Sequence, residues 1–108
     1  MNLPRIIADW LTAENNFDKG SYSDNFTENA IVYDEGKTHK GHQEIIEWKQ
    51  ASNEKYKPTL EPISVIKTDK KTTLTAKVSG TFPGSPIVLK FHFELNKEKI
   101  ESLQISLD

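Results

Sequence analysis

Three successive segments in the second half of the chain alternate apolar and polar residues with a period of two. In Thr72 to Phe82, the residues Leu74, Ala76, Val78, Gly80 and Phe82 alternate with Thr73, Thr75, Lys77, Ser79 and Thr81. In Ile87 to Leu95, the residues Ile87, Leu89, Phe91, Phe93 and Leu95 alternate with Val88, Lys90, His92 and Glu94. In Glu101 to Leu107, Leu103, Ile105 and Leu107 alternate with polar neighbours. Side chains of a strand point to opposite faces in turn, so this pattern predicts an antiparallel sheet with one face covered and one wet. Pro83-Gly84-Ser85-Pro86 and Asn96-Lys97-Glu98 supply the connections. Thr59 to Thr68 alternates poorly and contains Pro62, which predicts a bulged or edge strand because proline donates no ladder hydrogen bond.

The first half carries the cover. Leu3, Ile6, Ile7, Trp10 and Leu11 recur at helical spacing, so Asn2 to Asn16 reads as a helix, with Asn2 as cap and Pro4 in the first turn. Asp18 is positioned to cap a second, short helix carrying Tyr22 and Phe26. Ala30 to Asp34 reads as a strand, Glu35-Gly36 as a turn and Lys37 to Lys40 as the return strand. Gln43 to Lys57 reads as a helix whose face holds Ile45, Ile46, Trp48, Ser52 and Tyr56, stopped by Pro58. Helices first and a meander last predict an α+β fold, helices packed on one sheet face. At 108 residues the expectation is one domain, residues 1–108.

Charge and composition exclude several functions. The formal net charge is -2 and the only arginine is Arg5, so nothing prepares the chain for a nucleic acid. No cysteine is present, which removes disulfides, thiolate metal sites and a cysteine nucleophile. No segment is long and apolar enough to cross a bilayer, and a cytoplasmic location is the default expectation. The sequence carries no Gly-rich phosphate loop or nucleophile elbow, and no cofactor is expected. The hydrophobic fraction of 35% predicts a modest core, which association of subunits would supplement.

The order of elements is itself informative. An amphipathic helix is followed by Asn15-Asn16-Phe17-Asp18 and then by Phe26-Thr27-Glu28-Asn29-Ala30-Ile31-Val32-Tyr33-Asp34. Gly41 then opens a helix with Ile45 and Trp48. Over nearly its whole length the chain resembles the nuclear transport factor 2-like superfamily, and within it the SnoaL-like polyketide cyclase and ketosteroid isomerase branch. The resemblance implies a cystatin-like cone with one mouth, N-terminal helices packed on a curved antiparallel sheet. It also implies a small apolar ligand and a homodimer formed through the outer sheet face.

Asp34 matches the position of the proton-shuttling aspartate of the isomerases. In that register Val32 and Asp34 point into the cone, while Ile31 and Tyr33 point out. Asp34 then faces apolar surfaces with no lysine or arginine inside to compensate, so its pKa is expected to be raised and the carboxylate suited to act as a base. The other reading makes Asp34 a turn residue bonded to backbone N–H groups beside Glu35-Gly36. The oxygen-binding donors of those isomerases fall on Trp10, which has one N–H, and Phe91, which has none. The epoxide-hydrolase pattern needs an arginine between two aspartates, and Arg5 lies at the start of the first helix.

Among the histidines, His39 on the return strand shares the Asp34 site, His42 at a helix start is expected to be solvated, and His92 faces away from the cone. They form no ligand spacing for a metal. Trp10, Phe26, Trp48, Phe82, Phe91 and Leu103 are expected to line the cone, or else to be hydrophobic core. Three functions remain open: a small-molecule binder with an apolar pocket, a cofactor-independent isomerase, cyclase or dehydratase using Asp34 and His39, or an interaction module with a filled core.

Overall fold

The computed structural model describes residues 2–107. Helices α1 (Arg5–Asn15) and α2 (Lys19–Asp24) precede strand β1 (Phe26–Asp34), strand β2 (Lys37–Lys40) and helix α3 (Gly41–Tyr56). Strands β3 (Thr59–Lys67), β4 (Thr72–Ser79), β5 (Ile87–Asn96) and β6 (Lys99–Leu107) complete the chain. The six strands form one sheet in the order β2-β1-β6-β5-β4-β3. Neighbours pair antiparallel except β1 with β6, which run parallel, so the α+β fold carries a mixed sheet.

The alternating segments form the ladder that their spacing predicts. Leu74 faces Phe91, Ala76 faces Leu89 and Phe93 faces Leu103 across adjacent strands, so the apolar set of all three lies on the side the helices cover. The weakly patterned segment is both an edge strand and bulged, with a register shift between Pro62 and Ser64. Asn15 at the end of α1 clamps this edge: its side chain accepts from Leu60 N at 2.7 Å and donates to Leu60 O at 3.0 Å.

Several boundaries move, each for a local reason. The first helix begins at Arg5, because Pro4 takes an extended ψ of 145° as N-cap and Asn2 caps nothing. Asp18 does cap the short helix, accepting from Ser21 N at 3.1 Å, and this bond holds its carboxyl below the ordinary range. Phe26 leaves that helix and starts β1 instead, which is therefore longer than Ala30 to Asp34. The third helix starts at Gly41, where Glu44 reaches back to Lys40 N at 2.8 Å, and ends with Lys57 in the left-handed region. His42 is half-buried, not solvated, with its Nε2 2.9 Å from the Phe26 carbonyl oxygen.

The turn after β1 has positive φ at both central residues, 52° at Glu35 and 75° at Gly36, as two-residue hairpins favour. Asp34 is thus the last strand residue, facing Lys37, and lies outside the turn proper. At the far side, β4 ends at Ser79 and the chain swings past the end of α3. Thr81 N donates to Tyr56 O at 2.7 Å and Thr81 Oγ1 to Lys55 O at 3.0 Å. Gly80 sits so close to the Tyr56 carbonyl that a Cβ there would overlap it.

The core lies between the three helices and the inner sheet face. Trp10 stands against Phe91 and Phe93, with ring centroids 5.4 and 4.9 Å away, and Tyr22 bridges Trp10 to Phe26. Ile7, Ile45, Leu74, Ile100 and Leu103 fill the remaining space with no exposed surface. No helix among the described residues is long and apolar enough to cross a membrane.

Candidate functional site

Helices α1 and α2 cover only part of the inner sheet face. Between α3, the ends of β4, β5 and β6, and the β1–β2 turn, a cleft of about 530 Å³ remains open. Phe82, Ile87, Leu89, Phe91 and Ile105 make its apolar side, and Trp48 and Tyr56 of α3 face them. Its polar lining includes Asp34, His39, Glu14 and the buried Lys49, together with Glu35, Lys37, Ser52 and Lys55.

Asp34 reaches this wall because it follows buried Val32 by two residues, on the inner side of β1. His39 pairs with Val32 across the hairpin and so shares that side. Its ring stacks on Trp48, with centroids 5.5 Å apart and an interplanar angle of 29°. The indole Nε1 of Trp48 donates to Asp34 Oδ2 at 3.3 Å, and among the described residues no backbone N–H bonds this carboxylate. Burial pushes the Asp34 pKa above the ordinary 3.8 and the Glu35 carboxylate adds to it, while the Trp48 bond, Lys49 and His39 oppose the rise. Tyr33 points outward and is exposed.

The interior does hold a lysine, contrary to the expectation from sequence. Lys49 Nζ lies 2.9 and 2.6 Å from the two carboxylate oxygens of Glu14, with side chains only 3% and 4% exposed. It also lies 4.9 Å from the Tyr22 ring centroid and 5.1 Å from that of Trp48. Helical spacing contained the signal. Glu14 follows Ile7 and Trp10 by seven and four residues, and Lys49 follows Ile45 by four, so both belong to buried helix faces. Tyr22 is fully buried beside them, its hydroxyl driven well above the usual phenol range by burial and then by Glu14.

Of the six expected lining residues, Trp48, Phe82 and Phe91 face the cleft. Trp10, Phe26 and Leu103 do not: they are buried in the core. The Trp10 indole N–H and the Tyr22 hydroxyl have no hydrogen-bond partner among the described residues. His92 lies on the outer face, bonded to Thr73 Oγ1 at 3.2 Å and Ser106 Oγ at 3.0 Å. Partial burial, then Lys71 and Lys90, lower its pKa. Arg5 is exposed and paired with Asp9 at 3.8 Å. Among the described residues no group of three or more histidines and carboxylates is arranged to hold a metal.

No protein-family model matches the sequence, and no curated protein matches it. Solved structures do. A candidate polyketide cyclase from Sinorhizobium meliloti is 34% identical, with a TM-score of 0.93 over 96% of this chain and 95% of that one. A protein of ketosteroid isomerase-like fold from Catenulispora acidiphila, solved with trimethylamine, is 18% identical, with a TM-score of 0.88 over 99% of this chain and 88% of that one. The epoxide hydrolase/cyclase-like enzyme SalBIII, of pyran ring formation in salinomycin, is 24% identical, with a TM-score of 0.81 over 95% of this chain and 88% of that one. The last two likenesses establish the fold, and the first, at its identity and coverage, establishes the family. This chain belongs to the nuclear transport factor 2-like superfamily, in its SnoaL-like polyketide cyclase and ketosteroid isomerase branch.

Proposed function

We propose that the chain binds a small, largely apolar molecule in the cleft and moves a proton on it without a cofactor, with Asp34 as the base, as an isomerase or cyclase does. The observation that carries this reading is the state of Asp34. Its carboxylate stands at the wall of an apolar cleft with a raised pKa, and its bond to Trp48 orients it while leaving lone pairs free. A turn residue would instead be tied to backbone N–H groups. The cleft volume of about 530 Å³ falls within the range of roughly 300–1,000 Å³ usual for small-molecule sites, which speaks against a filled-core interaction module. The similarity to a candidate polyketide cyclase points to the same class of chemistry.

In this reading the Asp34 carboxylate takes a proton from a carbon next to a carbonyl, and the electron pair of the C–H bond moves toward the carbonyl oxygen. Return of the proton at another atom completes an isomerisation. Attack of the carbanion on a second carbonyl of the same molecule closes a ring. His39, on the same inner side, serves as a second proton carrier.

A test free of substrate identity uses 5-nitrobenzisoxazole. A base removes its ring C–H proton, the N–O bond breaks, and a coloured nitrophenolate appears. The native protein should accelerate this elimination about 100-fold or more over Asp34→Asn. Equal rates would leave Asp34 without a role as base.

The same reading includes pairing of two copies through the outer sheet face. Ile66, Val88 and Tyr33 are exposed there around the polar centre of Thr73, His92 and Ser106. Light scattering should give a dimer mass that falls when Ile66 and Val88 are both changed to lysine. A native monomer mass at all concentrations would end the idea.

A further inference from the structure

We propose that Lys49 is the oxygen-binding residue of the cleft, so that the ligand carries on its apolar body an oxygen that bears or acquires negative charge. The inference deepens the reading of Asp34 as a base and uses the same cleft. It rests on three features of the polar wall.

The first is the unfinished hydrogen bonding of the ammonium. Two of its three protons are directed at Glu14, at 2.6 and 2.9 Å, and the third has no hydrogen-bond partner among the described residues. The aromatic faces of Tyr22 and Trp48, 4.9 and 5.1 Å from the nitrogen, attract the charge but supply no oxygen or nitrogen acceptor. Glu14 thus locks the side chain in place, and the remaining donor is available to a ligand.

The second is that a buried ion pair of this kind adds little to stability in general. Two charges taken out of water gain little over apolar side chains of similar size, and replacing such a pair with hydrophobic residues is often neutral or favourable. Ile7, Trp10 and Ile45 lie on the same buried helix faces, so the surroundings of the pair are largely apolar. An ion pair held at a cleft wall in such surroundings fits a part in binding better than a part in folding.

The third is the direction of charge movement. Once Asp34 has taken a proton it is neutral, and the negative charge lies on the ligand's oxygen. Lys49 and Asp34 both face the cleft, near enough for the lysine charge to act on the carboxylate. A fixed cation in a site poor in water stabilises such a charge more than bulk solvent does. The positions that resemblance assigns to oxygen-binding donors cannot do this here: Phe91 has no donor, and Trp10 is sealed in the core.

The probe is 4-nitrophenol, whose phenolate absorbs visible light and whose ring suits the apolar side of the cleft. At a mildly acidic pH, where the free probe is mostly protonated, the native protein should bind it as the phenolate. Glu14→Gln/Lys49→Met, which keeps the wall filled and uncharged, should weaken phenolate binding by about tenfold or more. Glu14→Gln alone, which frees donors on Lys49, should strengthen it, as should Asp34→Asn, which removes a nearby negative charge. Circular dichroism checks that each variant is folded, and Glu14→Gln keeps the inference testable should the double variant fail to fold. Unchanged phenolate binding in a folded double variant, weaker binding in Glu14→Gln, or no phenolate bound by the native protein each overturns the proposal. The two readings fail separately. Loss of phenolate binding in the double variant with elimination unaffected by Asp34→Asn keeps Lys49 as the oxygen site and removes the base. Loss of elimination in Asp34→Asn with unaltered phenolate binding in the double variant does the reverse.

Discussion

The two tryptophans of this protein flank Tyr22, with ring centroids 6.0 and 6.1 Å from it, and meet different fates. Trp10 is wedged between Phe91 and Phe93 under α1, completely buried, with its N–H unpartnered among the described residues. Trp48 stands where α1 and α2 no longer cover the sheet; its N–H is bonded to Asp34 and its ring is stacked on His39. Trp10 belongs to a closed aromatic core, and Trp48 to an open wall on which ionisable groups collect. Glu14 and Lys49 lie at the border, buried like the core but facing the cleft. The contrast shows where this small fold spends its apolar residues: enough to seal the core, with the cleft left hollow.

The sharpest way to break the comparison is to truncate a side chain in each region. Trp10→Ala should cost about 4 kcal/mol, the loss expected for a large aromatic in a packed core. Phe82→Ala, on the half-exposed cleft wall, should cost only about 1 kcal/mol. Urea denaturation measures both, and similar losses would mean that the cleft wall is packed after all.

The border is tested by Lys49→Met, which strands the buried Glu14 carboxylate and should cost about 3 kcal/mol. Changing Glu14 to leucine and Lys49 to methionine together should recover most of that loss. A single variant as stable as the native protein would show that water already reaches the pair.

The smallest effect belongs to Asp34. Its folded pKa lies above the ordinary 3.8 chiefly through burial, so the unfolded chain ionises first as pH rises. The native protein therefore loses stability from about 3.8 up through the raised folded value, and the loss is complete above it. Asp34→Asn does not ionise, so near pH 7 it should be neutral or slightly stabilising, and the two proteins should converge at acid pH. Melting temperatures across that range check the sign; a variant less stable at pH 7 would mean that the native carboxylate is held in its charged form.

Local rules carried much of this structure. The pleat has a period of two, so the inner residues of β4, β5 and β6 were legible from alternation alone, whereas the inward side of Val32 and Asp34 came from the register that the resemblance implied. The Asp18 cap and the stop before Pro58 depend on neighbours in the chain and were legible too. Phe26 was misplaced because aromatic i, i+4 spacing with Tyr22 fits a helix, whereas the chain turns out of α2 at Asn25 and pairs Phe26 with Ile100 far along the sequence.

What only the tertiary structure decided is where the cover stops and which charges are buried. Whether an inner-face aromatic becomes core, as Trp10, Phe26 and Leu103 do, or cleft wall, as Trp48, Phe82 and Phe91 do, depends on how far α1 and α2 extend over the sheet. Alternation does not encode that distance. The same holds for the partner of Glu14: spacing from Ile7 and Trp10 puts Glu14 on the buried face of α1, but its burial is tolerable only because Lys49, 35 residues away, arrives with the opposite charge. A charge is buried by its partner, and the partner is a fact of packing.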